Sequence, residues 1–429
     1  MTKLLQLYRL LFIITLALYI YLGKGIAYGY FAEFMMILGL LLLVKERKQI
    51  PIITERAGKI MYLFLIINIF FLIRGFLNYG IVDTIRDSLV INYLLFSFII
   101  LLFANEIEQF IKSILIIYKY FPIIVFCLYI LSLNNFFGSV SFFGGIHVLY
   151  FKFGDISVHL LAAFLFQITG LVTFKKPYDI INLMIIFLLF SIASSYSRGG
   201  MLSFLLGLII FYKYLRASII KEQLKRYLKY LPILFIGAYL FLTTFKVSEN
   251  FQGRSVGVEQ VVLNFTSIFV ESEEGGLNDN KLFRLLWWGQ IIDYTFNGPY
   301  FIAGKGLGVN LAEDDQILTT DLEGELRSPH NFNLTILARY GVFIFLIWIY
   351  WIIVQIKKLR QVNLSKLQLI IICLQIAFLF NASFDVFLEG PMGAFPFWVF
   401  VGIDLIFSYF NLYNNEVENN LFQSQLNLK

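Results

Sequence analysis

The chain has 429 residues, of which 59% are apolar and only 14% are charged. Soluble domains carry about 25% charged residues and do not contain many separate apolar runs of about 20 residues, the length that crosses a bilayer core. A soluble fold is therefore excluded. The formal net charge of +6 does not indicate nucleic-acid binding, because Lys and Arg form short clusters between apolar runs, as in the cytoplasmic loops of membrane proteins.

Apolar runs of membrane-crossing length recur along the chain and predict an all-α polytopic membrane protein with about twelve transmembrane helices. Connections rich in Lys and Arg alternate with connections poor in them, and the positive-inside rule places the basic ones, and with them both termini, in the cytoplasm. No cleavable signal peptide is expected, because the first run lacks a small-residue cleavage site. The predicted spans are residues 5–23, 29–44, 59–75, 88–104, 114–133, 157–174, 180–197, 200–212, 231–245, 337–355, 367–382 and 393–410.

The connection after the ninth predicted span is far longer than the others and faces the outside in this topology. It is rich in Glu, Asp, Asn and Gly, but it also contains Trp287, Trp288 and apolar patches typical of helices. We therefore expect a folded extracytoplasmic loop subdomain. The predicted organisation is nine spans in residues 1–245, the large loop in 246–333, three spans in 334–413 and a cytoplasmic tail in 414–429.

The seventh and eighth predicted spans meet in a tight polar turn, Ser-Ser-Tyr-Ser-Arg-Gly-Gly, at residues 194–200. This turn holds Arg198 at the outer boundary of the membrane. A guanidinium group suits phosphate oxygens, stays charged, and is costly to hold near lipid unless an anion meets it. A lipid-linked phosphate is one candidate partner of Arg198, and anchoring of a helix end to lipid headgroups is the alternative.

The large loop contains a second arginine with an aromatic neighbour. The pattern of residues 281–292 is helical, so Arg284 and Trp288 would share one face and present a cation beside a ring on which a sugar could stack. Alternatively, Trp287 and Trp288 belong to an interfacial aromatic belt.

The end of the large loop combines a glycine-rich segment with a histidine. Residues 304–308, Gly-Lys-Gly-Leu-Gly, are typical of turns, and a nucleotide-binding role lacks the required βαβ context. His330 and Asn331 directly precede the tenth span. A lone histidine has either an acid–base role or a structural one, and His147 and His159 are interpreted as structural.

No metal or other cofactor is expected. Three scattered histidines and two cysteines form no zinc pattern, and because Cys127 and Cys373 lie in apolar runs, a disulfide framework is not expected. The acidic residues within 313–325 fit no calcium loop and are interpreted as solvated surface. No GxxxxGK[ST] phosphate loop is present, so nothing indicates an ATP-driven mechanism.

Together these motifs resemble a known family. In chain order they are the turn around Arg198, the run Arg-Leu-Leu-Trp-Trp-Gly from Arg284, the run Asn-Gly-Pro-Tyr-Phe-Ile-Ala-Gly-Lys-Gly-Leu-Gly from Asn297, and His-Asn-Phe-Asn-Leu from His330, followed by Gly341 at the next span. This order and spacing are similar to those of the O-antigen polymerase and ligase superfamily (Wzy and WaaL type). The resemblance covers residues 180–355.

The resemblance implies a GT-C-like glycosyltransferase of a bacterial cytoplasmic (inner) membrane that acts at the outer face on glycans linked to undecaprenyl diphosphate. An acceptor hydroxyl would attack the anomeric carbon, undecaprenyl diphosphate would leave, and neither nucleotide sugar nor metal would be needed. Arg198 and Arg284 would hold the diphosphate, Trp288 and Asn331 would add substrate contacts, and His330 would activate the acceptor or bind phosphate. The implied partners are the lipid-linked oligosaccharide, the bilayer, a chain-length regulator and a repeat-unit flippase, with no nucleic acid.

One position departs from the family pattern. At Arg339, two residues before Gly341, members of the family often carry an acidic or apolar residue. Arg339 would either enlarge the phosphate site or anchor the helix end to lipid headgroups, and Arg327, Lys305 and Arg74 have the same two interpretations.

The favoured function is a polymerase that joins lipid-linked repeat units of an O-antigen or capsule-type polysaccharide. The alternative within the superfamily is a ligase that transfers finished polymer to lipid A core. A secondary transporter or flippase would be favoured by charged residues buried in mid-span, which are scarce, and inverted repeats are not apparent. A non-enzymatic envelope scaffold would leave the Arg and His motifs unexplained.

Overall fold

The structure is a computed structural model that describes residues 3–410 with gaps. The ninth predicted span and the predicted cytoplasmic tail fall mainly or wholly outside the described residues and stay predictions. The residues outside the description are 1–2, 27–29, 48–49, 52, 54, 134–140, 143–145, 148, 152–154, 176, 216–226, 228, 231, 233–235, 238, 241–242, 244–256, 268–274, 318–325, 362–363 and 411–429.

Helices dominate the described chain, as the apolar runs predict. A 3₁₀ helix, Ile100–Glu106, links α5 to α6. The helices are α1 (Lys3–Leu22), α2 (Phe31–Lys45), α3 (Arg56–Asn78), α4 (Ile81–Asn92), α5 (Leu95–Ile99), α6 (Ile107–Leu133), α7 (Ile156–Ile168), α8 (Tyr178–Tyr196), α9 (Arg198–Tyr214), α10 (Val258–Thr266), α11 (Gly275–Phe296), α12 (Leu311–Asp314), α13 (Phe332–Tyr340), α14 (Val342–Lys358), α15 (Lys366–Ala382) and α16 (Pro391–Tyr409).

Four short strands are an addition to the expected all-helical fold. They form two antiparallel pairs, β1 with β4 and β2 with β3. The β1–β4 pair joins the end of α1 to the segment before α7, two parts of the chain that are far apart in sequence. The strands are β1 (Gly23–Ile26), β2 (Ser141–Phe142), β3 (Ile146–His147) and β4 (Leu149–Phe151).

The chain is a polytopic membrane protein. Helices also occupy the other predicted spans that the structure describes, although several are shorter than a bilayer requires. The number twelve therefore stays a prediction. Within the described part of the chain, five helical segments are long and apolar enough to cross a membrane by length and composition, namely Lys3–Leu22, Arg56–Asn78, Leu95–Ser132, Tyr178–Tyr196 and Pro391–Tyr409.

Two predicted spans are divided by turns that the hydropathy of the sequence does not indicate. The span predicted at 337–355 is divided at Gly341, whose φ of +79° separates α13 from α14. A Cβ at this position would lie 2.7 Å from the carbonyl oxygen of Phe301, so only glycine fits. The span predicted at 88–104 begins inside α4, turns at residues 93–94 and continues as α5 and the 3₁₀ helix. Because most residues on both sides of each break are apolar, a hydropathy average over the span does not show the break.

The core between the helices is aromatic and tightly packed. Phe12 of α1 meets Phe395 of α16 edge-on, with ring centroids 4.9 Å apart. At Gly402 in α16 a Cβ would lie 2.7 Å from the carbonyl oxygen of Ser97. The missing side chain lets α16 approach the backbone of α5, the kind of contact that small residues give to helices in membranes.

The helix ends gather at two opposite faces. At one face, a Cβ on Gly75, near the end of α3, would lie 3.0 Å from the carbonyl oxygen of Leu307, in the glycine-rich segment. At the other, Lys358 Nζ at the end of α14 lies 2.6 Å from carboxylate oxygens of both Glu55 and Asp404. The candidate site described below lies at the first face, and the assignment of the second face to the cytoplasm stays a prediction.

Candidate functional site

A short connection between α15 and α16, residues 383–390, is contacted by three distant parts of the chain. Arg284 Nη1 in α11 donates to the carbonyl oxygen of Phe384 at 2.8 Å. Gly199, in the tight turn, lies against the same residue, since a Cβ on it would be 3.1 Å from Phe384 Cβ. Asn333, at the start of α13, donates to Ser383 Oγ at 2.9 Å. We call this connection the 383–390 loop.

The tight turn holds Arg198 at the start of α9, where it is partly exposed. Ser197 caps the helix through its side chain, which fixes the turn. Arg198 Nη1 donates to Ser267 Oγ, directly after α10, at 3.2 Å. Asn264 of α10 in turn donates to two carbonyl oxygens at the end of α8 at 2.7 and 2.8 Å. The large loop is thereby fastened to the turn that carries Arg198.

Arg284 and Trp288 lie one turn apart on α11, so the helix predicted over residues 281–292 is confirmed. Both side chains are partly buried, and Trp288 Nε1 donates to the carbonyl oxygen of Pro329 at 2.8 Å. One face of α11 thus reaches both the 383–390 loop and the residue before His330. Trp287 is fully buried and donates to Asp315 Oδ2 at 2.6 Å, which places it inside the protein rather than in an aromatic belt.

His330 stands in a strained backbone position beside a carboxylate. Its φ of +53° lies in the left-handed region, which non-glycine residues rarely adopt and which often marks functional positions. His330 Nδ1 lies 3.7 Å from Asp385 Oδ1 of the 383–390 loop, and both side chains are partly exposed. This separation is too long for a hydrogen bond but allows an ion pair when the imidazole is protonated. Asp385 Oδ1 also accepts from the Val386 N–H at 2.7 Å.

A second carboxyl group, Glu389, lies on the same loop. Its Oε1 accepts from Thr335 Oγ1 of α13 at 2.7 Å. Burial raises the pKa of Glu389, while hydrogen bonds from Ser328 and Thr335 and the positive charges of Arg339 and His330 oppose that rise. Asp385 and Glu389 were not singled out from sequence, because a carboxylate in a short connection gives no local signal of the histidine it will face.

Asn331 begins the helix that follows His330. Its side-chain oxygen accepts from the N–H groups of Asn333 and Leu334 at 3.1 and 3.2 Å, so it serves as the N-cap of α13. This cap fixes the direction of the chain directly after His330. A substrate contact of Asn331 stays a prediction.

Arg339 is buried, with 2% of its surface exposed. Its Nη1 lies 2.8 Å from Asp87 Oδ2 of α4 and 3.1 Å from the carbonyl oxygen of Val309. Arg327 Nη2 lies 3.5 Å from the same carboxylate. A headgroup contact needs an exposed guanidinium group, and the structure instead gives Arg339 an internal anionic partner that the sequence did not reveal.

Lys305 is another buried cation at this end of the molecule. Its Nζ donates to Asp314 at 2.5 Å and to Asp315, and lies 4.2 Å above the ring of Tyr294. Burial lowers the pKa of Lys305, but the hydrogen bonds to the two carboxylates outweigh burial, so its pKa is raised. Asp315 is buried, in contrast to the solvated surface expected for it, whereas Asp314 is 46% exposed, as expected.

The glycine-rich segment packs against α13. Gly304, Gly306 and Gly308 have φ values of +54°, +92° and +95°, which the absence of a Cβ permits. The Lys305 N–H donates to the carbonyl oxygen of Ala338 at 2.8 Å. Nearby, Arg74 Nη1 donates to the carbonyl oxygen of Ala303 at 2.8 Å. The segment forms a turn that links the large loop to the ends of α3 and α13.

The remaining predictions concern groups away from the 383–390 loop. His159 is buried, with Tyr118 Oη 3.0 Å from its Nδ1, in agreement with a structural role. Cys127 and Cys373 are free cysteines. Among the residues that the structure describes, no group of three or more His, Cys, Asp or Glu side chains could hold a metal ion. Whether the protein acts without a metal stays a prediction.

The arrangement around the 383–390 loop can bind an anion and move a proton. Arg198 and Arg284 carry permanent charges and are partly exposed, so that an anionic group can reach them. His330 can accept a proton, and Asp385 lies where its charge would stabilise the resulting imidazolium. Each of these groups is held by contacts to short turns at helix ends.

Residues 183–349 match the model of the O-antigen ligase family (Wzy_C). The match begins in α8, includes the tight turn, α11 and His330, and ends in α14. No curated protein matches the chain in a sequence search. The order of motifs and the family match agree: residues 183–349 of the chain are similar to the O-antigen ligase family and support the resemblance to the O-antigen polymerase and ligase superfamily.

Proposed function

We propose that this integral bacterial membrane protein is a polysaccharide polymerase of the O-antigen or capsule type. It would transfer a glycan from undecaprenyl diphosphate to the acceptor sugar of another lipid-linked repeat unit at the outer face of the cytoplasmic membrane. The observation that carries this proposal is the convergence of Arg284, the Arg198 turn and His330 on the 383–390 loop. The match of residues 183–349 to the O-antigen ligase family supports polymerase or ligase activity in general.

The proposed reaction is a single displacement at the anomeric carbon of the donor sugar. The acceptor hydroxyl oxygen forms a bond to that carbon, and the bond between the carbon and the diphosphate oxygen breaks. His330 takes the hydroxyl proton, and undecaprenyl diphosphate leaves with the bonding electrons. Arg198 and Arg284 stabilise the negative charge that develops on the leaving group, and fixed cations aimed at such charge supply much of a catalytic effect. In this account neither a metal nor a nucleotide takes part.

Asp385 is proposed to position His330 and stabilise its protonated form. Charged partners in active sites often tighten only when substrate is bound, so the 3.7 Å separation would shorten in the complex. Trp288, partly buried one turn from Arg284, would offer a ring on which a sugar could stack. Arg339 would act through Asp87 by holding the glycine-rich segment and α13 together.

The second candidate within the superfamily is a ligase that transfers polymer to lipid A core. Both reactions use the same donor and leaving group, so the same three residues would act in either. The motifs are shared by both branches, and the polymerase is favoured because a ligase also requires an outer membrane with lipopolysaccharide. Transport is disfavoured because the candidate cations lie outside the middle of the predicted spans: Arg198 begins α9, Arg284 lies in the large loop, and His330 precedes α13.

A reconstituted reaction tests the proposal. The purified full-length protein in detergent with EDTA and without nucleotides would be incubated with undecaprenyl-diphosphate repeat units from the host, and products would be resolved by gel and mass spectrometry. We expect a ladder spaced by one repeat unit. Reaction only after lipid A core is added would establish a ligase instead. No product under either condition would contradict both the polymerase and the ligase proposals.

A further inference from the structure

Helix α11 exposes an apolar stripe although it lies in the loop that the sequence predicts to be extracytoplasmic. The exposed side chains recur at helical spacing along its length, and Leu286 is 67% exposed. The opposite side of the helix is packed, since Trp287 and Ile291 are fully buried. The stripe consists of Leu282, Leu285, Leu286, Ile292 and Phe296.

Single exposed leucines are normal on soluble proteins, but a stripe over several turns of a helix marks a surface that meets lipid or another protein. Gln290 and Asp293 are exposed in the second half of the helix, and Asp293, three residues before Phe296, lies on the same side as the stripe, as expected of a helix whose apolar side is only partly immersed. Arg284 points away from the stripe and donates to Phe384 in the candidate site. One helix therefore separates the exposed apolar surface from the candidate site.

The stripe continues into the surface of a helix predicted to cross the membrane. At the end of α11, Phe296 meets Phe301 edge-on, with ring centroids 6.2 Å apart. Phe301 in turn meets Phe343 of α14 edge-on at 5.8 Å. Phe343 is exposed, as is Leu346 one turn further along α14. The apolar surface of α11 is thus joined by a series of aromatic contacts to the exposed apolar side of a predicted span.

Helix α10 buries polar side chains and exposes apolar ones, which also indicates an apolar environment outside the large loop. Its polar side chains, Gln260 and Asn264, are buried against the end of α8, whereas Val262 and Phe265 are exposed. In a loop surrounded by water the opposite arrangement is expected, because apolar surface is removed from water first. An apolar environment outside α10 explains both faces.

We propose that the apolar stripe of α11 lies in the outer leaflet of the membrane, with α10 beside it. Amphipathic helices of this kind bury their apolar face about 5–10 Å into the boundary between headgroups and acyl chains. The candidate site would then be separated from the leaflet by one helix, a thickness of roughly 10 Å. A ligand with a long apolar chain could remain in the leaflet while its charged end reaches Arg284. The placement of α11 in lipid does not depend on the reaction that the site performs.

Spin labels in bilayer nanodiscs test this placement. In the full-length protein with C127S and C373A, one label would replace Leu286 through L286C, and a matched label would be placed by E313C, since Glu313 is exposed at the same end of the molecule. Collision rates with oxygen, which concentrates in lipid, and with a water-soluble nickel chelate would be measured. The L286C label should show a ratio of oxygen to nickel collisions severalfold higher than the E313C label.

Two outcomes would overturn the proposal. Equal ratios for the two labels would place the stripe in water, and protection of the L286C label from both reagents would place it under another protein or a second copy of this chain. L282C, one turn earlier, provides an independent label if L286C does not fold, and size-exclusion chromatography with efficient labelling of E313C verifies the fold. The readout needs no enzymatic activity, so its failure is distinct from failure of the proposed reaction.

Discussion

Two groups of cations at the same end of the molecule both contain arginine but have different surroundings. Arg339 and Lys305 are almost completely buried, and carboxylates of Asp87, Asp314 and Asp315 contact them. Arg198, Arg284 and His330 are partly exposed around the 383–390 loop. An anion from outside can reach the second group, whereas the first is enclosed with its counter-charges. Burial, rather than residue type, separates the cations that hold the fold from those that can bind a substrate.

The largest expected effect is a loss of protein stability when a carboxylate that pairs with the buried cations is removed. Asp87→Ala would leave Arg339 buried without its carboxylate, and breaking a buried ion pair costs about 3–5 kcal/mol. We expect a strong loss of folded protein, measured by thermal unfolding in detergent and by membrane yield. Asp83→Ala is the matched control, since Asp83 is exposed on the same helix and pairs of this kind contribute about 0–1 kcal/mol. Equal stability of the two variants would contradict the division between the groups.

Substitutions in the partly exposed group should lower activity and leave stability unchanged. Arg198→Ala, Arg284→Ala and His330→Ala are each expected to lower polymer formation by about 10²–10³-fold, because each removes a group aimed at the reacting centre. Membrane levels and thermal unfolding should stay close to those of the wild type. Arg86→Ala is the control, since Arg86 is an exposed cation in α4. A full-length polymer ladder from all three variants would contradict the proposal that these residues form the active site.

A smaller effect is expected at the carboxylate that faces His330. Asp385→Asn should lower the rate of polymer formation by about tenfold, because the imidazolium that forms when His330 takes the acceptor proton loses a stabilising charge. The groups that face His330 are Asp385 and Glu389, with Arg339 also acting on Glu389. A rate equal to that of the wild type would contradict this role of Asp385.

The smallest expected effect concerns the pH dependence of stability at Glu389. Burial raises the pKa of this carboxyl, so the folded state binds its proton more readily than the unfolded state does. Stability from this group is therefore greatest at low pH and falls as the pH rises above the usual glutamate range. Glu389→Gln should remove that fall, so the variant should gain thermal stability relative to the wild type between pH 5 and pH 8. A constant difference across this range would contradict the assignment.

The spans and the site motifs could be predicted from sequence because each carries a local signal. Hydropathy located most helices, and the tight turn and the His-Asn pair revealed Arg198 and His330. The helix that brings Arg284 and Trp288 to one side followed from spacing alone. The function assigned to these residues depends on the resemblance and stays a proposal.

Other features depend on contacts between distant parts of the chain and carry no local signal. Arg339 resembles any arginine near a helix end, and only the fold shows that Asp87 encloses it. The 383–390 loop is an ordinary short connection until the fold brings His330 beside Asp385. The apolar residues of α11 were seen in sequence, but which of them would be packed and which exposed depends on the orientation of the helix.

The most direct test of the accessible site is equilibrium binding of undecaprenyl diphosphate, without sugars, to the purified full-length protein. Wild type, Arg198→Ala, Arg284→Ala and Arg86→Ala would be compared in one detergent at one ionic strength. Losing a charge-assisted hydrogen bond costs about 1.5–3 kcal/mol, so Arg198→Ala and Arg284→Ala should each raise the dissociation constant by about tenfold or more, while Arg86→Ala should leave it unchanged. Equal affinity in all four proteins would show that the diphosphate is not held by the arginines around the 383–390 loop.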